Sequence, residues 1–488
     1  MIIKQIFVYI FSNFFQQFLG IFTSFSTRRF ILPGDFGVWV TINMVMDYCS
    51  YSNLGIFSAL HKEIPYYIGK KDYKTADDIK NLSGTFIVFA GFIVSVIIFV
   101  LSFLPHINTS LSIGLKLISA MLFLTLIFNF FITLLRAHSE FISLSRIILI
   151  NSIVIFLLYI PLSFFWHLYG LYVAALLSLC ITIVYTAISN RNIVKFHFIS
   201  SFRKFKHIFF LLKIGVSLLI LGFLYIILVT TERWTIVNRL GFSQMGYYSI
   251  AIMFFDAISR ASLLVSHITF TKVQNLYGEM GETKEFSVSI RKYLPDLTLY
   301  TAYITPVALG LTYIWGNFLV ARFIPKYIPG IASMNILVIG ALFMGLSHFS
   351  NHFLQTVNKY LLSIPIYVIA TLVILLSSLF LIYKGLGIEG AAIAASIGYF
   401  LFFMGSSWLA LKNIYTLSEI LKFYMSIFIV LAYYGVVIFI CTRVKFNNIF
   451  ITMPAQTLLL LIGTAPVFIK FNKETGLISK LLQIKGAA

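Results

Sequence analysis

Apolar runs of bilayer-crossing length follow one another along the chain, separated by short polar stretches. A membrane-spanning helix needs about 20 mainly apolar residues, and fourteen segments qualify: roughly 5–27, 36–60, 84–105, 113–135, 147–166, 169–189, 209–231, 244–269, 294–320, 329–356, 361–383, 386–410, 421–442 and 448–469. The split near Trp166 and the last pair are the least sharply bounded. Intervals reach about 24 residues at most, too short for a soluble domain. The pattern predicts an all-α polytopic membrane protein with about 14 transmembrane helices. Lys4 followed by an apolar run imitates the start of a signal peptide. The run is long, carries Asn13, Gln16 and Gln17, and lacks a small-x-small cleavage site, so it is expected to stay as the first span.

The spans repeat. Gly37-Val-Trp-Val, Asp47 and Gly69 recur as Gly246-Tyr-Tyr-Ser, Asp256 and Gly278, each at an offset of 209 residues. Further on, Gly170-Leu-Tyr-Val-Ala-Ala resembles Gly387-Ile-Glu-Gly-Ala-Ala at an offset of 217. The first match pairs the second span with the eighth and the second pairs the sixth with the twelfth, so the unit is six helices. An even number keeps both copies in one orientation, with a pseudo-twofold axis along the membrane normal. Two bundles related in that way commonly enclose a substrate path and rock for alternating access.

Composition agrees with the pattern. Apolar residues make up 60% of the 488 and charged ones 11%, with a mean hydropathy of +0.95. A soluble chain carries roughly 25% charged residues, so a soluble enzyme, a secreted disulfide scaffold and a disordered chain are excluded. The formal charge is +20. With the N-terminus in the cytoplasm, 25 of the 36 Lys and Arg fall on inner loops and 9 on outer ones, leaving Lys116 and Arg260 within spans. That bias predicts both termini in the cytoplasm. Cys49, Cys180 and Cys441 fall in different spans and read as packing residues.

Arg29-Phe-Ile-Leu-Pro-Gly-Asp-Phe-Gly37, then Asn53-Leu-Gly-Ile-Phe-Ser-Ala-Leu60 and Glu63-Ile-Pro65, resembles the amino-terminal signature of polysaccharide-repeat flippases. These are the O-antigen translocases of the multidrug/oligosaccharidyl-lipid/polysaccharide exporter superfamily. Thr231-Glu-Arg233 through Gly246-Tyr-Tyr248, Pro325-Lys-Tyr327 and Gly387-Ile-Glu-Gly-Ala-Ala392 resemble later parts of the same loose pattern, which covers roughly residues 1–411. The resemblance implies two pseudo-symmetric six-helix bundles plus two C-terminal helices. The expected division is an N-terminal lobe at 1–190, a basic cytoplasmic linker at 191–208, a second lobe at 209–411, and two extra helices with a cytoplasmic tail at 412–488. It also implies export of an undecaprenyl-diphosphate-linked oligosaccharide, an O-antigen or capsule repeat unit, across a bacterial inner membrane.

Against that background the polar residues within spans become candidates. Asn13, Gln16 (or Gln17), Gly20 and Ser24 share one face of the first span. They form either a hydrophilic wall for sugar hydroxyls or interhelical hydrogen bonds. Asp47 and Asp256 lie mid-span, where ionisable groups are costly and turn inward or pair. Arg260, four residues after Asp256, makes an intrahelical ion pair easy. Asp47 has Tyr51 at the same step, and its alternatives are a protonatable group or a partner for a cation elsewhere. An anionic diphosphate cannot cross hydrocarbon uncompensated, so Arg260 and Lys116 are candidates for the path, although Lys116 can instead snorkel to the interface. Glu232 and Arg233, being adjacent, are expected to have separate partners. The basic, Phe-rich stretch from Arg191 to Lys213 reads as an interfacial linker on anionic lipid or a dock for the diphosphate.

His348 and His352 lack a third ligand, so no metal is assigned, and no phosphate-binding Gly-rich loop indicates ATP or any other cofactor. Nucleic acid is not an expected partner. A cation-coupled multidrug exporter of the same superfamily is disfavoured because residues 5–27 contain no carboxylate. A membrane polymerase or ligase would need a large outer loop, so the chain reads as a transporter rather than an enzyme. Lipid II export is the remaining alternative. The expected partners are the lipid-linked oligosaccharide, membrane lipids, and the membrane potential or a coupling ion.

Overall fold

The computed structural model describes residues 2–105, 109–198, 202–280, 284–412, 414–444, 446 and 449–475. Lys445, Lys480, Lys485 and residues 199–201 of the basic linker lie outside them. The elements are α1 (Ile2–Phe30), α2 (Pro33–Ser50), α3 (Ile56–Gly69), α4 (Tyr73–Leu101), α5 (Thr109–Ala137), α6 (Phe141–Ser189), α7 (Arg191–Val194), α8 (Phe202–Leu240), α9 (Phe242–Met280), α10 (Lys284–Leu311), α11 (Asn317–Phe323), α12 (Ile331–Thr356), α13 (Ile364–Leu381), α14 (Gly387–Leu411), α15 (Leu417–Arg443) and α16 (Ile449–Thr475). Among the described residues, nine helices are long and apolar enough to cross a membrane. Their outer faces are oily: α4 exposes Phe89, Phe92, Ile93 and Ile97, and α13 exposes Ile369, Leu372, Leu376 and Phe380. Such faces cost about 25 cal/mol per Å² in water and nothing against lipid tails. The chain is an all-α polytopic membrane protein.

Two of the long helices are broken. α6 leaves helical geometry at His167 (φ 49°, ψ −123°), beside the split expected near Trp166. A Cβ on Gly170 would collide with the backbone of Leu162 and Ser163, so the chain turns sharply there. The other break is at Gly385 and Gly387, both with positive φ, which glycine adopts without strain. α13 and α14 pack along each other across that turn, and Gly390 abuts Leu381. Gly170 and Gly387, matched in the sequence repeat, thus both stand at corners.

The second predicted span, 36–60, is not one helix. α2 stops at Ser50, a single turn follows over Tyr51–Asn53, and Leu54 (φ 47°) and Gly55 (φ 84°) are left-handed before α3 begins. Asn53 clamps this turn: its Nδ2 donates to Ser50 O at 2.8 Å, and its Oδ1 accepts from the Gly55 N–H at 2.9 Å. Leu54 and Gly55 do not interrupt hydropathy, so the apolar pattern passes over the break.

By contacts the chain divides into two compact units, Met1–Ser249 and Ile250–Ala488. Ile42, Leu60, Ile118, Leu122, Leu126 and Leu134 are fully buried at the centre of the first. There α2 and α9 meet reciprocally. A Cβ on Gly37 would strike the Phe242 carbonyl, and one on Gly246 would strike the Pro33 carbonyl. Pro33 and Phe242, like Gly37 and Gly246, are 209 residues apart. In the second unit α12 and α14 pack closely through Gly340, Ala341, Ala391, Ala392 and Ala395, small residues that let backbones approach. α15 and α16 are tied to α10 by Tyr303, Tyr434 and Phe471, with the Tyr434 hydroxyl donating to Tyr303 O at 2.7 Å.

Candidate functional site

On α1 the polar stripe lies opposite an aromatic one. Phe11, Phe14, Phe18 and Phe22 are more than half exposed on one side. Asn13, Gln16 and Gln17 are half-buried, on the side turned away from those rings. Asn13 Nδ2 donates to Tyr9 O at 2.7 Å, a bond within the helix that holds the carboxamide along its axis.

Arg28, Glu232 and Arg233, which the span count had put at outer helix ends, are buried. Arg28 is 4% exposed. Its Nε donates to Ser249 Oγ at 3.3 Å and its Nη2 to Ser249 O at 3.2 Å. Nη1 donates to Ser24 O at 3.0 Å and also to Ser24 Oγ. The guanidinium lies 4.1 Å from the centre of the Phe36 ring. Arg28 thereby fastens the end of α1 to the start of α9. Glu232 is fully buried beside Arg233, whose Nε lies 3.4 Å from Glu232 Oε1. For Arg28, the available signal was Ser24 one helical turn earlier.

Asp47 is exposed on α2, and Tyr48 of the next position shares a 2.5 Å hydrogen bond with Thr230 Oγ1 on α8. The break between α2 and α3 opens a recess of about 380 Å³, with Asn129 of α5 and Gly222 of α8 on its walls. Lys116, on α5, is half-buried with its ammonium 4.3 Å from the Phe103 ring centre. This cation–π contact at the end of a span is what an interfacial lysine makes.

The second unit holds Asp256 and Arg260, one turn apart on α9. Arg260 Nη2 lies 3.7 Å from Asp256 Oδ2, and the side chains are 70% and 42% exposed respectively. The pair is open, so the arginine has donors to offer. In the same unit an apolar crevice of about 350 Å³ runs between α10, α12 and α15, lined by Leu309, Leu342, Phe343, Leu431, Ile438 and Phe439 among others. Within the second unit Asp256 is paired with Arg260. Within the first, Asn13, Gln16 and Gln17 lie along one helix, and Asp47 and Lys116 stand on separate elements.

No protein-family profile matches the chain. It is 26% identical over 405 residues, 75% of each chain, to an uncharacterised membrane protein of Methanocaldococcus jannaschii. Similar solved structures include the lipid II flippase MurJ in an inward closed conformation, with a TM-score of 0.67 and 15% identity over 96% of this chain and 99% of that one. An inward-facing multidrug resistance MATE transporter of the MOP superfamily gives a TM-score of 0.64 and 14% identity, over 83% of this chain and 96% of that one. A MOP superfamily transporter from Pyrococcus furiosus gives 0.62 and 14%, over 84% and 95%. This multi-pass membrane protein shares the fold of the MATE and MurJ structures.

Proposed function

We propose that the protein is a flippase carrying an oligosaccharide linked to undecaprenyl diphosphate, an O-antigen or capsule repeat unit, from the cytoplasmic to the outer leaflet of a bacterial inner membrane. Alternating access of two six-helix bundles is the means. Nine long apolar helices among the described residues support that layout, two of them turning at His167 and at Gly385–Gly387, and α1, the broken α2–α3 pair and α9 would bring the crossings to fourteen. The reciprocal meeting of Gly37 with Phe242 and of Gly246 with Pro33 fits a pseudo-twofold relation between the copies. The charge bias of the loops supports cytoplasmic termini in this reading.

The observation that carries the reading is the open arginine within a span. Arg260 is held loosely by Asp256 and keeps most of its guanidinium accessible. A diphosphate takes bidentate hydrogen bonds from such a group. The apolar crevice of the second unit has the character a prenyl chain requires. Moving negative charge outward across an inside-negative membrane is favoured by about 2.3 kcal/mol per charge per 100 mV.

Lipid II is the second reading, and one observation favours a lipid-linked cargo over a drug. The likeness to the lipid II flippase covers 96% of this chain, against 83% for the multidrug transporter. The deciding experiment removes the protein from its host and identifies the sugar lipid that accumulates on the cytoplasmic leaflet. A polymer repeat unit on undecaprenyl diphosphate upholds the first reading and lipid II the second. If neither accumulates, the flippase proposal fails.

A further inference from the structure

The recess at the α2–α3 break has no assigned role. Non-helical backbone at membrane depth is tolerated only where protein buries it or a polar cavity meets it. Here it meets a cavity of about 380 Å³, near the low end of the ~300–1,000 Å³ of small-molecule sites. Among the described residues the polar lining is uncharged: Ser50, Tyr51, Asn53, Ser58 and Asn129, without an Asp, Glu, Lys or Arg. Asn53 is occupied in clamping the turn. Asn129 and Ser58 differ from it: among the described residues neither side chain has a hydrogen-bond partner within the protein, and both line the recess. Tyr51, held edge-on against Phe223 at 5.8 Å, and Phe57 add aromatic surface.

A free carboxamide, free hydroxyls and aromatic walls without net charge suit a hydroxyl-rich, uncharged ring with one apolar face. They do not suit a phosphate, which needs cations, nor an organic cation, which needs a carboxylate in the wall. We infer that this recess is a subsite for a sugar ring of the glycan beyond the one attached to the diphosphate, with Asn129 and Ser58 as its hydrogen-bonding groups. The inference rests on the flippase reading and adds a recognition element to it. Glycan length, rather than the lipid carrier, is then what the first unit senses.

The test uses the full-length protein in vesicles of phosphatidylethanolamine and phosphatidylglycerol. Flux is measured for polyprenyl diphosphate carrying a single N-acetylhexosamine and for the same carrier with a neutral three-sugar chain. Wild type is expected to move the three-sugar lipid faster. Asn129→Leu, close in volume, and Ser58→Ala are each expected to lower three-sugar flux about tenfold, the scale of one lost hydrogen bond to a bound group, and to leave one-sugar flux unchanged. Because the readout is a ratio between two cargoes, a general loss of folded protein does not imitate it. Equal loss of both fluxes, or no loss, overturns the subsite and leaves the flippase standing. If wild type moves neither lipid, the flippase reading fails, and the recess is judged on binding of the free three-sugar chain. Binding weakened by Asn129→Leu upholds it, and absent or unaltered binding overturns it.

Discussion

Arg28 and Arg260 are both arginines on helices of a membrane protein, and their surroundings make them opposites. Arg28 has its donors spent on Ser24 and Ser249, its face against Phe36, and almost no exposed surface. Arg260 has one long contact to Asp256 and an accessible head. A buried charge that is fully satisfied behaves as a rivet. A loosely held one keeps its donors available to a moving ligand. Depth in the sequence does not separate the two roles, but the tally of partners does.

The largest effect should come from the rivet. Arg28→Ala strips the donors from Ser24 and Ser249 and leaves a void under Phe36, at a cost of about 3–5 kcal/mol, the scale for breaking a buried charged group from its partners. Thermal unfolding in detergent should show it as a large drop in melting temperature. A mild drop would mean that Arg28 is no more structural than Arg260. Next in size is the glycine crossing. Gly37→Ala places a methyl on the Phe242 carbonyl and should cost about 1–3 kcal/mol, as overpacking does. Gly69, also part of the repeat match, faces open space, and Gly69→Ala should be neutral within about 0.5 kcal/mol in the same assay.

Arg260→Ala should move stability by less than about 1 kcal/mol, as exposed pairs do, while sharply lowering export of the glycan lipid. Arg260→Lys should recover part of it, since a point charge lacks the bidentate fork. Full surface glycan in the alanine variant would make Arg260 a bystander. The smallest effect is at Asp72, the cap of α4 outside the span. Its carboxylate accepts from Thr75 Oγ1 at 2.7 Å and Thr75 N at 3.1 Å, which holds its pKa below the ordinary aspartate value. A lowered folded-state pKa means that its stabilising contribution is present above about pH 4 and is lost as pH falls through the folded value. Asp72→Asn should flatten that acid limb of the melting curve, with a slightly lower melting temperature at pH 7, where the contribution is fully present, and none of the difference left once Asp72 is protonated.

Much of the helical layout could be read from hydropathy, because lipid demands long apolar runs and leaves few alternatives. The turn at His167 sat where a weak polar interruption predicted one. The break at Leu54–Gly55 escaped, since what it changes is backbone handedness rather than polarity. Arg28 and Arg233 were put at outer helix ends because the apolar runs stop short of them, whereas α1 and α8 run past under cover of neighbouring helices. The Asp256–Arg260 pair was legible because a four-residue step is a property of the helix itself. The recess was not, because Ser58, Asn129 and Gly222 come from three elements whose meeting no local pattern encodes.

The crossing of α2 and α9 has a mechanical consequence. Each glycine seats the other helix's carbonyl directly on its own backbone, so no side chain stands between the two to yield by changing rotamer. A slip of one residue in either direction would drive a side chain into a carbonyl oxygen. The junction therefore acts as a detent, holding the two helices in a single register.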